Sequence, residues 1–328
     1  MRIALDAMGG DRAPEVPVRG ALEAIGHLPD DVQIVLVGDP AAIRAQLGPE
    51  AGHPRIEILP ASQVIEMGEP PVPAVRKKTD SSLVVGLKAH AAGAVDAFVT
   101  CGSTGAAMAA SLFFLKPLPG VDRPAIGAVF PGEAPTLVLD VGANVDCRPH
   151  HLLQFAHLGH IYAQDILGRP SPRIGLLNIG EEPGKGNELA VEAYELLSRS
   201  GLRFVGNVEG RDILRDCCDV VVTDGFVGNV VLKFYEAAAD FILQTLRPIL
   251  DVGRPEAGRL VKFLDYTTYG GAPLRGVNGV VVITHGDTPP RAIANAIDVA
   301  VRAVERRTVD HLRRQLATPG LSKEARAP

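Results

Sequence analysis

The feature that most constrains this chain is an alternation. Short apolar runs rich in Val and Ile recur along it, each closed by a turn and followed by a longer stretch with helical spacing. The runs at residues 2–5, 32–37, 55–59, 96–99, 125–129, 136–139, 173–178, 220–222 and 279–283 predict strands. Several are apolar throughout rather than alternating, as expected for strands covered on both faces. Helical spacing over 16–26, 41–47, 82–92, 105–115, 150–166, 188–198, 229–246 and 290–306 fills the intervals. Strand–helix–strand order of this kind predicts an α/β fold with three layers and a mostly parallel sheet.

Residues 1–320 read as one α/β catalytic domain. The alternation breaks at about 246–269, where Pro248, Gly253, Pro255 and Gly258 predict an irregular, protruding helical segment. The polar stretch 321–328 reads as a disordered tail. With 46% hydrophobic residues a sizeable core can be buried, and a formal net charge of −5 carries no global signature of nucleic-acid binding. Trp is absent and aromatics make up 5%, so base-stacking surfaces are not expected either. No apolar run is long enough to span a bilayer, and the N-terminal MRIALDAMGGD lacks the regions of a signal peptide. Cys101, Cys147, Cys217 and Cys218 form neither a disulfide framework nor a CxxC pair, so they read as reduced thiols.

In an open α/β sheet, ligands bind beyond the carboxyl ends of the strands, so the turns there carry the functional reading. The first strand runs into Asp6, Ala7, Met8, Gly9, Gly10 and Asp11. The paired glycines allow close backbone approach to a ligand, and Asp6 or Asp11 either contacts it or holds the turn. This is not GxGxxG, so a dinucleotide fingerprint is missing and no cofactor is expected. The fourth run leads to Thr100-Cys101-Gly102-Ser103-Thr104-Gly105, a helix start where Ser103, Thr104 and Gly105 can cap the helix and receive an anion together. Asn144 follows the strand at 136–139 and offers both a donor and an acceptor. Beyond 173–178 stands Asn178-Ile179-Gly180-Glu181-Glu182-Pro183-Gly184-Lys185-Gly186, where Lys185 lies between two glycines on a backbone that can curl around an anion. The turn Thr223-Asp224-Gly225-Phe226-Val227-Gly228-Asn229 opens a helix that puts Asn229 and Lys233 on one face. Asp224 joins them as a contact or a cap. His285, after the last strand, is a candidate acid or base. His150, His151, His157 and His160 share one helical stretch, but without HExxH or a Cys pair beside them no metal is expected.

Taken in order, the motifs resemble the bacterial phosphate acyltransferase family of phospholipid synthesis, the PlsX family. They are DAMGGD at 6–11, RKKTDSS at 76–82, STGA at 103–106, DRPAI at 122–126 and LDVGANVD at 139–146. GLLNIGEE with KGNE within 175–188, GNVEGRDI at 206–213, DVVVTDGFVGNVVLK at 219–233 and YGGAPLRG at 269–276 complete the set. The resemblance covers nearly the whole chain. It implies the fold of isocitrate dehydrogenase and phosphotransacetylase, and transfer of a long-chain acyl group from acyl carrier protein to inorganic phosphate. It also implies a cytoplasmic homodimer at the inner face of the cell membrane, held there peripherally, by itself or through the downstream glycerol-3-phosphate acyltransferase. On this reading Lys185, Asn229, Lys233 and His285 are catalytic. Three positions depart from the family pattern: Ser103 replaces an Asn, and Asp287 and Thr288 replace serines. Acidic carrier proteins call for a basic docking surface, for which Arg247, Arg254, Arg259, Lys262 and Arg275 are candidates, with Phe263 and Leu264 supplying apolar contact. The competing readings are a phosphotransacetylase acting on short acyl-CoA and a non-catalytic scaffold for carrier protein or membrane.

Overall fold

The computed structural model describes residues 1–132, 134–246 and 271–316. The chain divides into two compact units, Met1–Leu118 with Tyr269–Asp310 and Pro119–Thr268 with His311–Pro328. The expected irregular segment beyond Leu246 and the expected tail lie outside the described residues, as do Arg247, Arg254, Arg259, Lys262, Phe263 and Leu264.

The strands are β1 (Arg2–Asp6), β2 (Gln33–Gly38), β3 (Ile56–Pro60), β4 (Ala97–Thr100), β5 (Ala125–Phe130), β6 (Thr136–Leu139), β7 (Ile174–Asn178), β8 (Phe204–Glu209), β9 (Val220–Val222), β10 (Ala272–Arg275) and β11 (Val280–Ile283). The helices are α1 (Glu15–Ile25), α2 (Pro40–Leu47), α3 (Pro71–Lys77), α4 (Ser82–Ala91), α5 (Thr104–Phe114), α6 (Pro149–Asp165), α7 (Glu188–Ser198), α8 (Gly225–Leu246), α9 (Pro290–Glu305) and α10 (Thr308–Leu316). In the first unit the strand order is β3-β2-β1-β4-β11-β10, parallel except for β10 against β11. The second unit has β5-β6-β9-β7-β8, parallel except for β5 against β6.

Alternation along the strands makes the first unit three layers deep. Ile3, Leu5, Ile34, Leu36, Ala97, Val99 and Val282 point to one face and pack with Val18 and Ala21 of α1 and Ile293 and Ile297 of α9. Phe98 points to the other face, against α4. A Cβ on Gly86 of that helix would stand 2.3 Å from the Phe98 ring, so only glycine lets helix and strand meet there. In the second unit α6 lies on β6 and β9 with similar closeness, Gly159 leaving 2.6 Å between an added Cβ and Val220.

Four elements escape the sequence pattern. The strand β8 contains Gly206 at φ 100° and a register shift beside β7, which breaks its apolar run. Strand β10 is only Ala-Pro-Leu-Arg. Helix α3 begins Pro-Val-Pro, which reads as a loop, although Pro at the first helical position needs no N–H partner. Helix α10 follows α9 after a two-residue break. Arg275 is 4% exposed, so it cannot belong to an exposed basic docking surface. It closes β10, whose last three residues are all buried.

Candidate active site

Parallel neighbours end on the same edge of a sheet, so the turns after β1, β4 and β11 emerge side by side in the first unit. Asp6 closes β1 with its side chain inward. Its buried carboxylate accepts from Thr100 Oγ1 at 2.8 Å and from the Met8 N–H at 3.2 Å. Burial pushes its pKa up against these hydrogen bonds and those from Ser82 and Gly9. Gly9 is packed so closely that a Cβ would lie 2.8 Å from Asp6 Oδ2 and from Gly102 N, and Gly10 takes φ 90°. The Asp11 N–H then donates to Gly286 O at 2.8 Å, tying the first turn to the last. The Cys101 thiol donates to Gly9 O at 3.0 Å, and burial holds it far above the usual thiol range. Asp6 thus holds the turn, whereas Asp11 stands exposed at its rim.

Ser103 caps α5, accepting from the Ala106 N–H at 3.4 Å. The Thr104 and Gly105 residues that follow are exposed, and their backbone N–H groups make no hydrogen bond among the described residues. These are two of the free donors with which a helix begins. His285 is half-buried on the same edge, and its carbonyl accepts from Thr288 N at 3.4 Å.

The second unit repeats the device with Asp140, which the sequence reading left unassigned. This fully buried carboxylate accepts from the N–H groups of Ile126 (3.0 Å), Gly142 (3.3 Å), Ala143 (3.1 Å) and Asn144 (2.7 Å), and from Asn144 Nδ2 (2.9 Å). Asn144 gives its other amide hydrogen to Pro124 O at 2.7 Å and is itself buried. Its amide therefore has no free donor for a substrate. Beside it, Gly225 N donates to Asn144 O at 2.8 Å, and Asn229 Nδ2 to Val141 O at 3.1 Å. Asp224 caps α8, accepting from Phe226 N and Val227 N at 2.9 Å each, while Gly228 N donates to its carbonyl. The first-turn N–H groups of α8 from Gly225 to Gly228 are thus engaged, and Asp224 takes the cap that the sequence offered as one of its two roles.

Positive charge comes from side chains instead. Asn178 accepts from Ile179 N at 2.8 Å and donates to Lys185 O at 2.9 Å, curling the loop back on its strand. Gly186 completes the curl at φ 99°, where a Cβ would lie 2.5 Å from Asn178 Oδ1. Lys185 is exposed at the loop's crest, and its ammonium has no partner among the described residues. Lys233 is 53% exposed along its side chain, with Nζ 2.8 Å from Glu236 Oε2. The structure therefore gathers Asn144, Asp224, Asn229 and Lys233 around adjacent turns, and Asn178 and Lys185 on the next loop of the same unit.

The four histidines of α6 serve different ends. His157 is buried, and burial, with His160 beside it, pushes its pKa down to about 4. An unfolded histidine takes up its proton near pH 6.5. His157 therefore contributes no penalty above pH 6.5, and stability is lost as pH falls from there towards 4. At pH 5 the loss is about 2 kcal/mol. Urea titrations at pH 7.5 and 5.0 should show it, and His157→Phe should flatten that part of the slope.

With the geometry in place, the relatives decide the family. The family described as "Fatty acid synthesis protein" matches residues 1–311. The chain belongs to that family. Relatives named phosphate acyltransferase include one from Desulfitobacterium hafniense (strain DSM 10664 / DCB-2), 48% identical over 96% of this chain and 98% of its own. Another, from Desulforamulus reducens, is 49% identical over 96% of this chain and 97% of its own. The chain is accordingly an acyltransferase. Among solved structures it resembles EutD phosphotransacetylase from Staphylococcus aureus, with TM-score 0.59 and 17% identity over 93% of this chain and 94% of that one. A branched-chain phosphotransacylase from Enterococcus faecalis V583 gives TM-score 0.58 and 16% identity over 93% and 99%. These distant likenesses bear out the phosphotransacetylase-like α/β fold expected from the sequence.

Proposed function

We propose that this family member transfers a long-chain acyl group from acyl carrier protein to inorganic phosphate, giving acyl phosphate and the free carrier thiol for phospholipid synthesis. The observation that carries the mechanism is the state of the thiols. Burial pushes Cys147 up to about 12 and holds Cys101 and Cys218 higher still, so none of these supplies a thiolate to carry the acyl group. Phosphate is already anionic near neutral pH and can attack directly. One of its oxygens bonds to the thioester carbonyl carbon, the carbonyl electrons move to oxygen, and the C–S bond breaks as they return. The sulfur leaves with that bond's electrons and takes a proton, for which we assign His285.

In the second unit Lys185 and Lys233 supply positive charge for an anion; in the first unit the open N–H groups of Thr104 and Gly105 offer hydrogen bonds to one. Each donor at the developing oxyanion is worth roughly 3–4 kcal/mol. We assign Asn144, Asp6, Asp140 and Asp224 to holding the turns, Asn178 to presenting Lys185, and Asn229 to the rim where the carbonyl is placed. On this reading residues 1–320 act as one catalytic domain. No helix among the described residues is long and apolar enough to cross a membrane. We place the protein in the cytoplasm, as a homodimer peripheral to the inner membrane face. The exposed Phe226, Val230, Phe234 and Phe241 of α8 support such a partner surface.

One assay tests the reading. The protein is mixed with palmitoyl carrier protein and phosphate, and acyl phosphate is trapped with hydroxylamine; a parallel run uses acetyl-CoA. Product from the carrier substrate is expected, and product from acetyl-CoA alone would overturn the long-chain assignment. Lys185→Ala should lower turnover at least about tenfold with melting unchanged, as expected for lost transition-state charge stabilisation. Near-normal turnover would remove Lys185 from the site.

A further inference from the structure

Residues 76–81 play no part in the chemistry assigned above, yet they anchor a loop that reaches the turns of the first unit. Ser62 and Gln63 are fastened to Asp80, whose carbonyl accepts from both their N–H groups at 3.1 Å. The Asp80 carboxylate also accepts from Ser62 Oγ at 2.5 Å, and the Ser82 N–H donates to Gln63 O at 3.1 Å. Beyond this anchor the chain turns between Glu66 and Glu69, the Glu69 N–H donating to Glu66 O at 3.2 Å. Lys78 holds the turn closed. Its ammonium donates to Val64 O at 2.7 Å and to Glu69 Oε1 at 2.5 Å, and that same oxygen accepts from the Glu66 N–H at 2.7 Å. The ammonium, and then the Glu66 N–H, hold the Glu69 carboxyl below the usual carboxylate range, so the ion pair stands at neutral pH.

Met67 stands at the tip of this turn, half exposed. A Cβ on Gly286 would lie 3.2 Å from Met67 Cε and 3.0 Å from Asp11 Oδ1. The Met67 methyl therefore rests beside Asp11 on the residue that follows His285. Pro71 comes as close to the start of α5, where a Cβ on Gly105 would lie 2.6 Å from its Cγ. The loop thus walls the edge on which Thr104, Gly105 and His285 emerge. With Asp11 against it and Asp287 next in the chain, the Met67 corner repels an anion, so it does not suit the phosphate. An unbranched, adaptable thioether suits an apolar chain there instead.

We propose that Met67 contacts the acyl chain of the donor beside its thioester, and that Lys78 is the positioning residue that holds Met67 there. This inference rests on the acyl-transfer reading, and it gives that site a specificity-determining side chain on the uncharged part of the substrate.

Met67→Ala should raise the KM for palmitoyl carrier protein about fivefold and leave kcat within about twofold, as expected for loss of uniform binding. The KM for phosphate should not move. Lys78→Met should have a similar effect, and Lys78→Arg should restore most of the loss. Because Lys78 acts through Met67, the double variant Met67→Ala/Lys78→Met should cost no more than either change alone. Additive costs would overturn the positioning role, and an equal rise in both KM values, or none, would overturn the contact. Oxidation of Met67 keeps the inference separate from the catalytic reading. Hydrogen peroxide gives one oxygen atom to the Met67 sulfur, leaving the sulfoxide and water, and peptide masses follow the rate. Saturating palmitoyl carrier protein should slow that oxidation about fivefold or more, carrier protein without an acyl group should slow it less, and phosphate should not change it. Slowing by the acylated carrier supports the contact even if no acyl phosphate forms. Unchanged oxidation, or equal protection by the unacylated carrier, overturns the acyl contact even if turnover is normal.

Discussion

Gly228→Ala is expected to give a protein that melts about 5–10 °C lower and turns over at about one hundredth of the wild-type rate. A Cβ at this position would stand 1.9 Å from the Asp140 carbonyl oxygen and 2.9 Å from Thr223 Cγ2. The first obstacle is backbone, so no rotamer change relieves it. Either the start of α8 or the turn after β6 must move by more than an ångström. Moving the helix carries Asn229 and Lys233 away with it, and moving the turn breaks the hydrogen bonds to Asp140. Displacements of about an ångström at a catalytic constellation cost on the order of a hundredfold in rate. Gly68→Ala is the matched control, because a Cβ there meets nothing within 4 Å. Melting curves and hydroxylamine-trapped product, taken on both variants, check the expectation. A Gly228→Ala protein with wild-type melting and turnover would show that this contact is not held in solution.

Asp140→Ala should cost about 3–5 kcal/mol of stability. The carboxylate is fully buried and gathers four backbone N–H groups and one side-chain amide. Removing it strands donors that water cannot easily reach, and each stranded donor costs about 1–3 kcal/mol before relaxation. Asp140→Asn offers no simple rescue, since its NH2 would face the N–H of Asn144 or those of Gly142 and Ala143. Urea midpoints should fall for both variants. Turnover measured well below their melting points should still be depressed, because Val141 O is the acceptor that positions Asn229. Gly228→Ala and Asp140→Ala dismantle the same wall, so their combined cost should be less than the sum. Additive costs would mean that the two residues act on separate parts of the unit.

The alternation of apolar runs and helical spacing made most of the architecture legible, because Val-rich runs such as 220–222 have no other stable use than a covered strand. Elements were missed where local residues argue against the conformation that packing imposes, as with the prolines of α3 and Gly206 of β8. The site was legible in outline only. Gly-Lys-Gly marks a loop that must curl, and the structure curls it around Asn178. Composition could not say which polar residues face outwards. Asp6, Asn144 and Asp224 look like ligand groups in the sequence; in the fold the Asp6 and Asp224 carboxylates accept from neighbouring groups and both Asn144 amide hydrogens are taken up, while Asn144 Oδ1 has no hydrogen-bond partner among the described residues. Asp140 directly follows β6 as Asp6 ends β1, and that parallel was the available signal.

The buried, uncharged thiols have a further consequence for how such a protein behaves when one substrate is scarce. With Cys101, Cys147 and Cys218 unable to hold the acyl group and phosphate attacking directly, a donor that arrives without phosphate leaves unchanged. Both reactants must then be present together, and the protein accumulates no half-finished state for water to discharge. Acyl phosphate output would follow phosphate supply directly, and activated fatty acid would be conserved while phosphate is short.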